Sequence, residues 1–246
     1  MDQIVRIPAR DGKTIHARAR EVPGAPVVVI AHGMTGHMDG RLELGFARML
    51  EREGYSSLRF NAYDWAEDAR DLCDMGLREH LDDLGAVIDR ASGMSGSVVA
   101  LGHSFGGMCI VLRGPAGLKG AVLWDPASQR VWAGLNREIA TFDAERREYV
   151  QRERVAVIYS ERMLQEVEQA DAAVAATAFD VPMLVVSSPQ WPHMNEAGRE
   201  YAERAPRAER VEIPGSDHNF TDDVSEASLF ATTLAWLQRT VPVTPG

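Results

Sequence analysis

A set of short, unbroken apolar runs constrains this chain more than any other feature. Pro26–Ala31, Ser97–Leu101, Ala121–Trp124 and Met183–Ser187 are apolar at almost every position. A strand turns successive side chains to opposite faces, so a run apolar throughout must be buried on both. A parallel sheet with helices on either side offers that environment. Helical stripes lie between and after the runs: Leu42, Phe46 and Leu50, closed by Gly54, then Leu77, Leu81, Leu84, Val87 and Ile88, then Glu196–Arg204, then Ser225–Arg239 with Leu229, Phe230, Leu234 and Leu237 facing in. Ser56–Phe60 and Arg210–Ile213 read as further strands. Gln3–Ile7 and Thr14–Glu21 flank Arg10-Asp11-Gly12-Lys13, and Asp-Gly between strands signals a hairpin. The expectation is an α/β fold: a mostly parallel, twisted sheet with helices on both faces and antiparallel strands at one edge.

The pattern lapses over residues 127–180. The one strand signal there is Val155–Ser160, and the charged stretches Glu145–Arg154 and Arg162–Ala176 read as helical. Some fifty residues exceed an ordinary crossover, although a pair of crossover helices is the simpler alternative. The expectation is a helical cap, 127–180, inserted into a core made of 1–126 and 181–246. The final VPVTPG reads as a frayed tail.

The chain has 246 residues, enough for one large domain. Its net charge of −10 opposes nucleic acid and anionic membranes as partners. Two cysteines, Cys73 and Cys109, suit a reduced, cytoplasmic setting. No apolar run approaches the roughly 20 residues that span a bilayer, and the first residues, MDQIVRIPARDG, lack the apolar stretch of a signal peptide. The expected partner is a small-molecule substrate. No metal-ligand cluster or cofactor motif stands out, and nothing bears on oligomeric state.

Residues 97–112, SVVALGHSFGGMCIVL, carry the sharpest chemical signal. An apolar strand enters Gly102-His103-Ser104-Phe105-Gly106-Gly107, and a helix leaves it. In that context G-x-S-x-G is a tight turn that lifts a serine hydroxyl above the sheet edge, beside a helix N-terminus. The small residues two before and two after avoid collision between strand and helix. Ser104 is the candidate nucleophile.

A second signal, Ala31-His32-Gly33-Met34, follows the VVVIA run. Acyl transfer places negative charge on oxygen, and two backbone N–H groups aimed at it form an oxyanion hole. Met34 and Phe105 are the candidate donors. Gly33 lets the loop pass close to substrate, and His32 orients the loop. A third signal is Pro214-Gly215-Ser216-Asp217-His218-Asn219-Phe220, between the last strand and the last helix. Of seven histidines, His218 has the chain position that suits a base for Ser104. His16, on an edge strand, His80, on a charged helix face, and His37, His103 and His193 suit solvated or structural roles. Tyr63 and Trp65, from the loop after Ser56–Phe60, and Trp191 are candidate pocket residues. Phe142 and Met163 would add apolar walls from the cap.

Together HGM at 32–34, GHSFGG at 102–107 and SDHNF at 216–220, in that order, resemble the α/β-hydrolase family. The resemblance covers nearly the whole chain. It implies about eight strands, with catalytic loops at the carboxyl ends of the parallel ones. It also implies an acid to orient His218. Relatives commonly carry it after the strand equivalent to Met183–Ser187, yet Ser187-Ser188-Pro189-Gln190-Trp191-Pro192-His193 holds no carboxylate. Another family placement falls at the end of the preceding core strand, where Asp125 stands. Asp125 is therefore the candidate acid. Glu196, Asp180 and Asp217 are rivals, and a Ser–His dyad without an acid is a further alternative.

The implied chemistry is an esterase-like serine hydrolase that acts on an ester, lactone or thioester of a small apolar substrate through an acyl-enzyme, with no cofactor. An acyltransferase, an amide or C–C bond hydrolase on the same residues, or a ligand-binding protein with an idle triad are the alternatives.

Overall fold

Alternate residues of the apolar runs face two separate cores. The computed structural model describes residues 2–152 and 156–243. Val27, Val29 and Ala31 of β3 (Val27–Ala31) point to one core, and Val28 and Ile30 point to the other. The same alternation runs through β5 (Val98–His103), β6 (Gly120–Trp124) and β10 (Met183–Ser187). Each fully buried Val, Leu or Ile contributes roughly 1.5–3 kcal/mol, so burial on both faces fixes the register of the sheet.

The main sheet has eight strands in the order β1-β2-β4-β3-β5-β6-β10-β11. Its edge strands are β1 (Gln3–Pro8), which pairs antiparallel with β2 (Thr14–Arg20), and β11 (Ala208–Glu212), which pairs parallel with β10. β2 also runs antiparallel to β4 (Ser56–Phe60), and every pairing from β4 to β11 is parallel. Helices α1 (Arg41–Arg52) and α8 (Asp223–Thr240) cover one face. Helices α2 (Leu77–Ser92), α3 (Phe105–Arg113) and α7 (Pro192–Arg204) cover the other. No helix among the described residues is long and apolar enough to cross a membrane. Both cysteines are free.

The segment between β6 and β10 departs from the expected helical cap, in which Val155–Ser160 is the one strand signal. It holds helices α4 (Gln129–Ile139), α5 (Glu161–Gln169) and α6 (Ala172–Ala176), but also an antiparallel sheet of β7 (Ala140–Asp143), β8 (Glu148–Arg152) and β9 (Ala156–Ser160). The stretch from Glu145, expected to be helical, instead forms a turn and β8; Glu153, Arg154 and Val155 lie outside the described residues, as does the tail from 244. Asp143 builds the turn, since its Oδ1 accepts the N–H groups of Glu145 and Arg146. Such local side-chain bonds favour a turn over a continuing helix. A row of rings joins this small sheet to the main one. Phe142 packs on Tyr149, Tyr149 stacks on Tyr159, Tyr159 meets Trp132 of α4, and Trp132 meets Phe105 at the start of α3.

Candidate active site

Ser104 sits between β5 and α3 with φ 51° and ψ −117°, a conformation that non-glycine residues seldom adopt. The surrounding contacts hold it there. Its N–H donates to the Trp124 carbonyl at 2.9 Å, and its own carbonyl accepts from Ala127 N–H at 3.1 Å. A Cβ on Gly102 would lie 2.5 Å from the Gly106 carbonyl carbon, and one on Gly106 would lie 2.6 Å from the carbonyl oxygens of Ala31 and His32. No side chain fits at either position, which is the physical content of the two flanking glycines. Phe105 is the first residue of α3, so its N–H has no intrahelical acceptor and is available at the turn.

His218 and Asp125 converge on this serine. The Ser104 hydroxyl donates to His218 Nε2 at 3.0 Å. On the far side of the ring, His218 Nδ1–H donates to Asp125 Oδ2 at 2.7 Å. Asp125 is fully buried at the end of β6, with φ 40°, a region where Asp is enriched among non-glycine residues. Its Oδ1 accepts the Ser188 N–H at 2.9 Å, so both carboxylate oxygens are satisfied. The loop 187–191 supplies that donor even though it carries no acid. It is tied to the histidine loop as well: Ser188 Oγ donates to the Ser216 carbonyl at 2.6 Å, and Gln190 Nε2 donates to the Gly215 carbonyl at 2.7 Å. Glu196 faces solvent and pairs with Arg199, Asp217 accepts from Thr221, and Asp180 is exposed, so none of these rivals meets His218.

The loop after β3 closes the other side. Gly33 packs so tightly that a Cβ there would lie 3.3 Å from that of Ser104. His32 Nδ1–H donates to the Gly33 carbonyl at 2.7 Å, and His32 Nε2 accepts the Ala62 N–H at 3.0 Å. Tyr63 donates its hydroxyl to the Met34 carbonyl. His32 and Tyr63 thus fix the backbone that carries Met34, close against the elbow. Trp191 lies beside the His218 ring at 5.8 Å and is 46% exposed. Trp65 is 89% exposed. Together with Tyr63 it lines a cavity of about 280 Å³ that Thr35, Leu72, Val157 and Ile158 help to enclose. Met163 does not line it, being buried in the core shared with α2 and α3, and Phe142 lies against Tyr149.

Two histidines play parts that the sequence did not reveal. His103 Nε2–H donates to the His218 carbonyl at 2.9 Å, with the two rings 4.9 Å apart, and so anchors the loop that carries the candidate base. His80 is buried, not solvated on a charged face. It packs edge-on against Phe105 at 5.2 Å and Tyr63 at 6.4 Å, and its Nε2 has no hydrogen-bond partner among the described residues. Its three-residue spacing from Leu77 and four-residue spacing from Leu84 was the available signal, masked by charged neighbours.

Burial holds three of these histidines neutral. It pushes His32 down to about 4 and both His80 and His103 down to about 3. An unfolded histidine titrates near 6.5, so below that pH the unfolded chain takes up protons that the folded chain refuses. These groups leave stability untouched above about pH 6.5 and reduce it progressively down to pH 3–4. The limiting slope is about 1.4 kcal/mol per pH unit for each histidine. Urea midpoints measured at pH 7, 6 and 5 are therefore expected to fall steeply below pH 6.5. His80→Gln should flatten the slope by one histidine's share. A midpoint constant from pH 6.5 to 5 would refute this account.

The fold and the site define a class: an α/β sheet with a serine elbow, and a histidine and a buried carboxylate in line behind it. The sequence profile of the Alpha/beta hydrolase family matches residues 27–232, and the chain belongs to that family. Solved structures share the fold at low identity. Est1E from Butyrivibrio proteoclasticus, with ferulic acid bound, is 19% identical with a TM-score of 0.83, over 96% of this chain and 99% of that one. The esterase domain of a Rhodothermus marinus protein is 19% identical with a TM-score of 0.73, over 98% and 99%. Mouse alpha/beta hydrolase domain-containing protein 10 is 12% identical with a TM-score of 0.76, over 96% and 99%. Curated protein sequences contain no match to this chain.

Proposed function

We propose that the protein is a serine hydrolase that cleaves an ester, lactone or thioester of a small apolar substrate. The observation that carries this reading is the aligned pair of hydrogen bonds, 3.0 Å from Ser104 to His218 and 2.7 Å from His218 to Asp125. His218 takes the Ser104 proton as the hydroxyl attacks the carbonyl. The N–H groups of Met34 and Phe105 donate to the developing oxyanion. Asp125 holds the Nδ1–H tautomer of His218 and stabilises its cation. The protonated histidine then delivers its proton to the leaving group, and water resolves the acyl-enzyme by the reverse sequence. The same residues support a thioester as readily as an oxygen ester, because the attacked atom is a carbonyl carbon in both.

A fluorophosphonate probe tests the reading directly, since it phosphonylates an activated serine and spares an idle one. The expected result is a single adduct on the tryptic peptide containing Ser104, together with turnover of short acyl esters. Absence of the adduct from folded protein would refute it and favour a ligand-binding role.

A further inference from the structure

The cavity of about 280 Å³ is lined at one end by Thr35 and Gly36, the residues that follow Met34 in the chain. Its walls are mostly apolar and aromatic: Tyr63, Trp65, Leu72, Val157 and Ile158. An apolar cavity of about 150 Å³ suffices for benzene, so this one has room for a ring with substituents. Trp65 and Ile158 leave large apolar surface in water at its mouth, which a bound apolar group would cover. The polar part of the wall carries one sign of charge. Asp71 and Cys73 line the cavity. The Cys73 thiol is pushed up by burial and by the carboxylates of Asp74, Glu148 and Asp71, so it stays neutral in a negative field. Among the described residues no cation pairs with Asp71, whereas nearby Arg162 is engaged by Glu79 and Arg70 by Asp11 and Asp83.

We propose that this cavity binds the remote end of the substrate, and that it selects a flat apolar group carrying an ammonium or hydroxyl donor and rejects one carrying a carboxylate. Asp71 is the residue that sets this preference. The inference rests on the assignment of Ser104 as nucleophile only for where the scissile carbonyl sits; the selectivity of the cavity is a binding property and can be measured without turnover.

The test uses methyl esters of 3-phenylpropanoic acid whose para position carries hydrogen, hydroxyl, aminomethyl or carboxylate. Their affinities for the Ser104→Ala protein are read by calorimetry, and kcat/KM is read on the unmodified enzyme. The aminomethyl and hydroxyl esters are expected to bind on the order of tenfold tighter than the carboxylate ester, the scale of one partly screened charge. Asp71→Asn should compress that ratio, and Asp71→Lys should invert it. Ile158→Trp, which fills the cavity, should weaken all four. An unchanged ratio in Asp71→Lys would overturn the proposal, as would equal binding of the four esters to Ser104→Ala. Failure of fluorophosphonate labelling with the ratios intact would instead overturn the catalytic assignment and leave the cavity's selectivity standing.

Discussion

Ser104→Ala is expected to fold normally and to lose about six orders of magnitude in kcat, the scale seen when a triad nucleophile is removed. Folding survives because the substitution keeps the Cβ and the backbone partners: the N–H to Trp124 and the carbonyl to Ala127 do not involve the hydroxyl. The strain of φ 51° is equal for serine and alanine, so the elbow gains no new cost. The one side-chain bond lost is to His218, which remains held by Asp125 and, through its carbonyl, by His103. Thermal melting should therefore move little while ester turnover and fluorophosphonate labelling both vanish. A folded Ser104→Ala protein that still turns over esters would remove Ser104 from the mechanism.

Asp125→Asn is expected to lower kcat by about four orders of magnitude. The asparagine cannot reproduce both bonds of the carboxylate. If its oxygen accepts from His218 Nδ1, its amide hydrogens face the Ser188 N–H; if it is turned round, they face Nδ1 and force the wrong tautomer. The first arrangement leaves the Ser188 N–H unsatisfied in a fully buried place, at roughly 1–3 kcal/mol of stability, and the second makes both bonds at the expense of the tautomer that catalysis needs. The backbone is not the problem, since Asn tolerates φ 40° as well as Asp does. Turnover per folded molecule is thus the quantity to compare, with Glu196→Gln as the reference in one assay. That residue is exposed and bonded to Arg199 on the solvent side of its helix, where water screens the pair, and its loss should barely register. Near-normal turnover by Asp125→Asn would separate the observed geometry from the chemistry.

What could be read from the residues alone depended on how local the determining physics is. The elbow was legible because strand, small residues and helix are contiguous, and the sterics at Gly102 and Gly106 act within a few residues. The sheet was legible because burial on both faces leaves an unbroken apolar signature. The choice of Asp125 followed from the family resemblance together with its place at a strand end on the shared edge, but its partnership with Ser188 N–H did not, because a backbone donor leaves no trace in sequence. β7 and β8 were hidden for a different reason. Both are only partly covered, their residues alternate weakly, and their pairing forms between segments rather than within one. His80 was misplaced because Arg78, Glu79, Asp82 and Asp83 suggest a solvated face, whereas the helix turns His80 inward with Leu77 and Leu84.

The segment between β6 and β10 has a thermodynamic consequence. Met163, Leu164, Val167, Ala172 and Ala176 belong to the same apolar cluster as Leu84, Val87, Met108 and Val111 of α2 and α3. A lid of independent stability would have a core of its own, and this segment shares one. Excising it would strip the outer side of two helices that pack directly on the sheet. Segment and sheet are therefore expected to melt in one transition, with local opening that disturbs α5 or α6 drawing on the global stability of the protein. Exchanging this segment for a relative's is therefore a redesign of the core, in which α2 and α3 have to be repacked together with the insert.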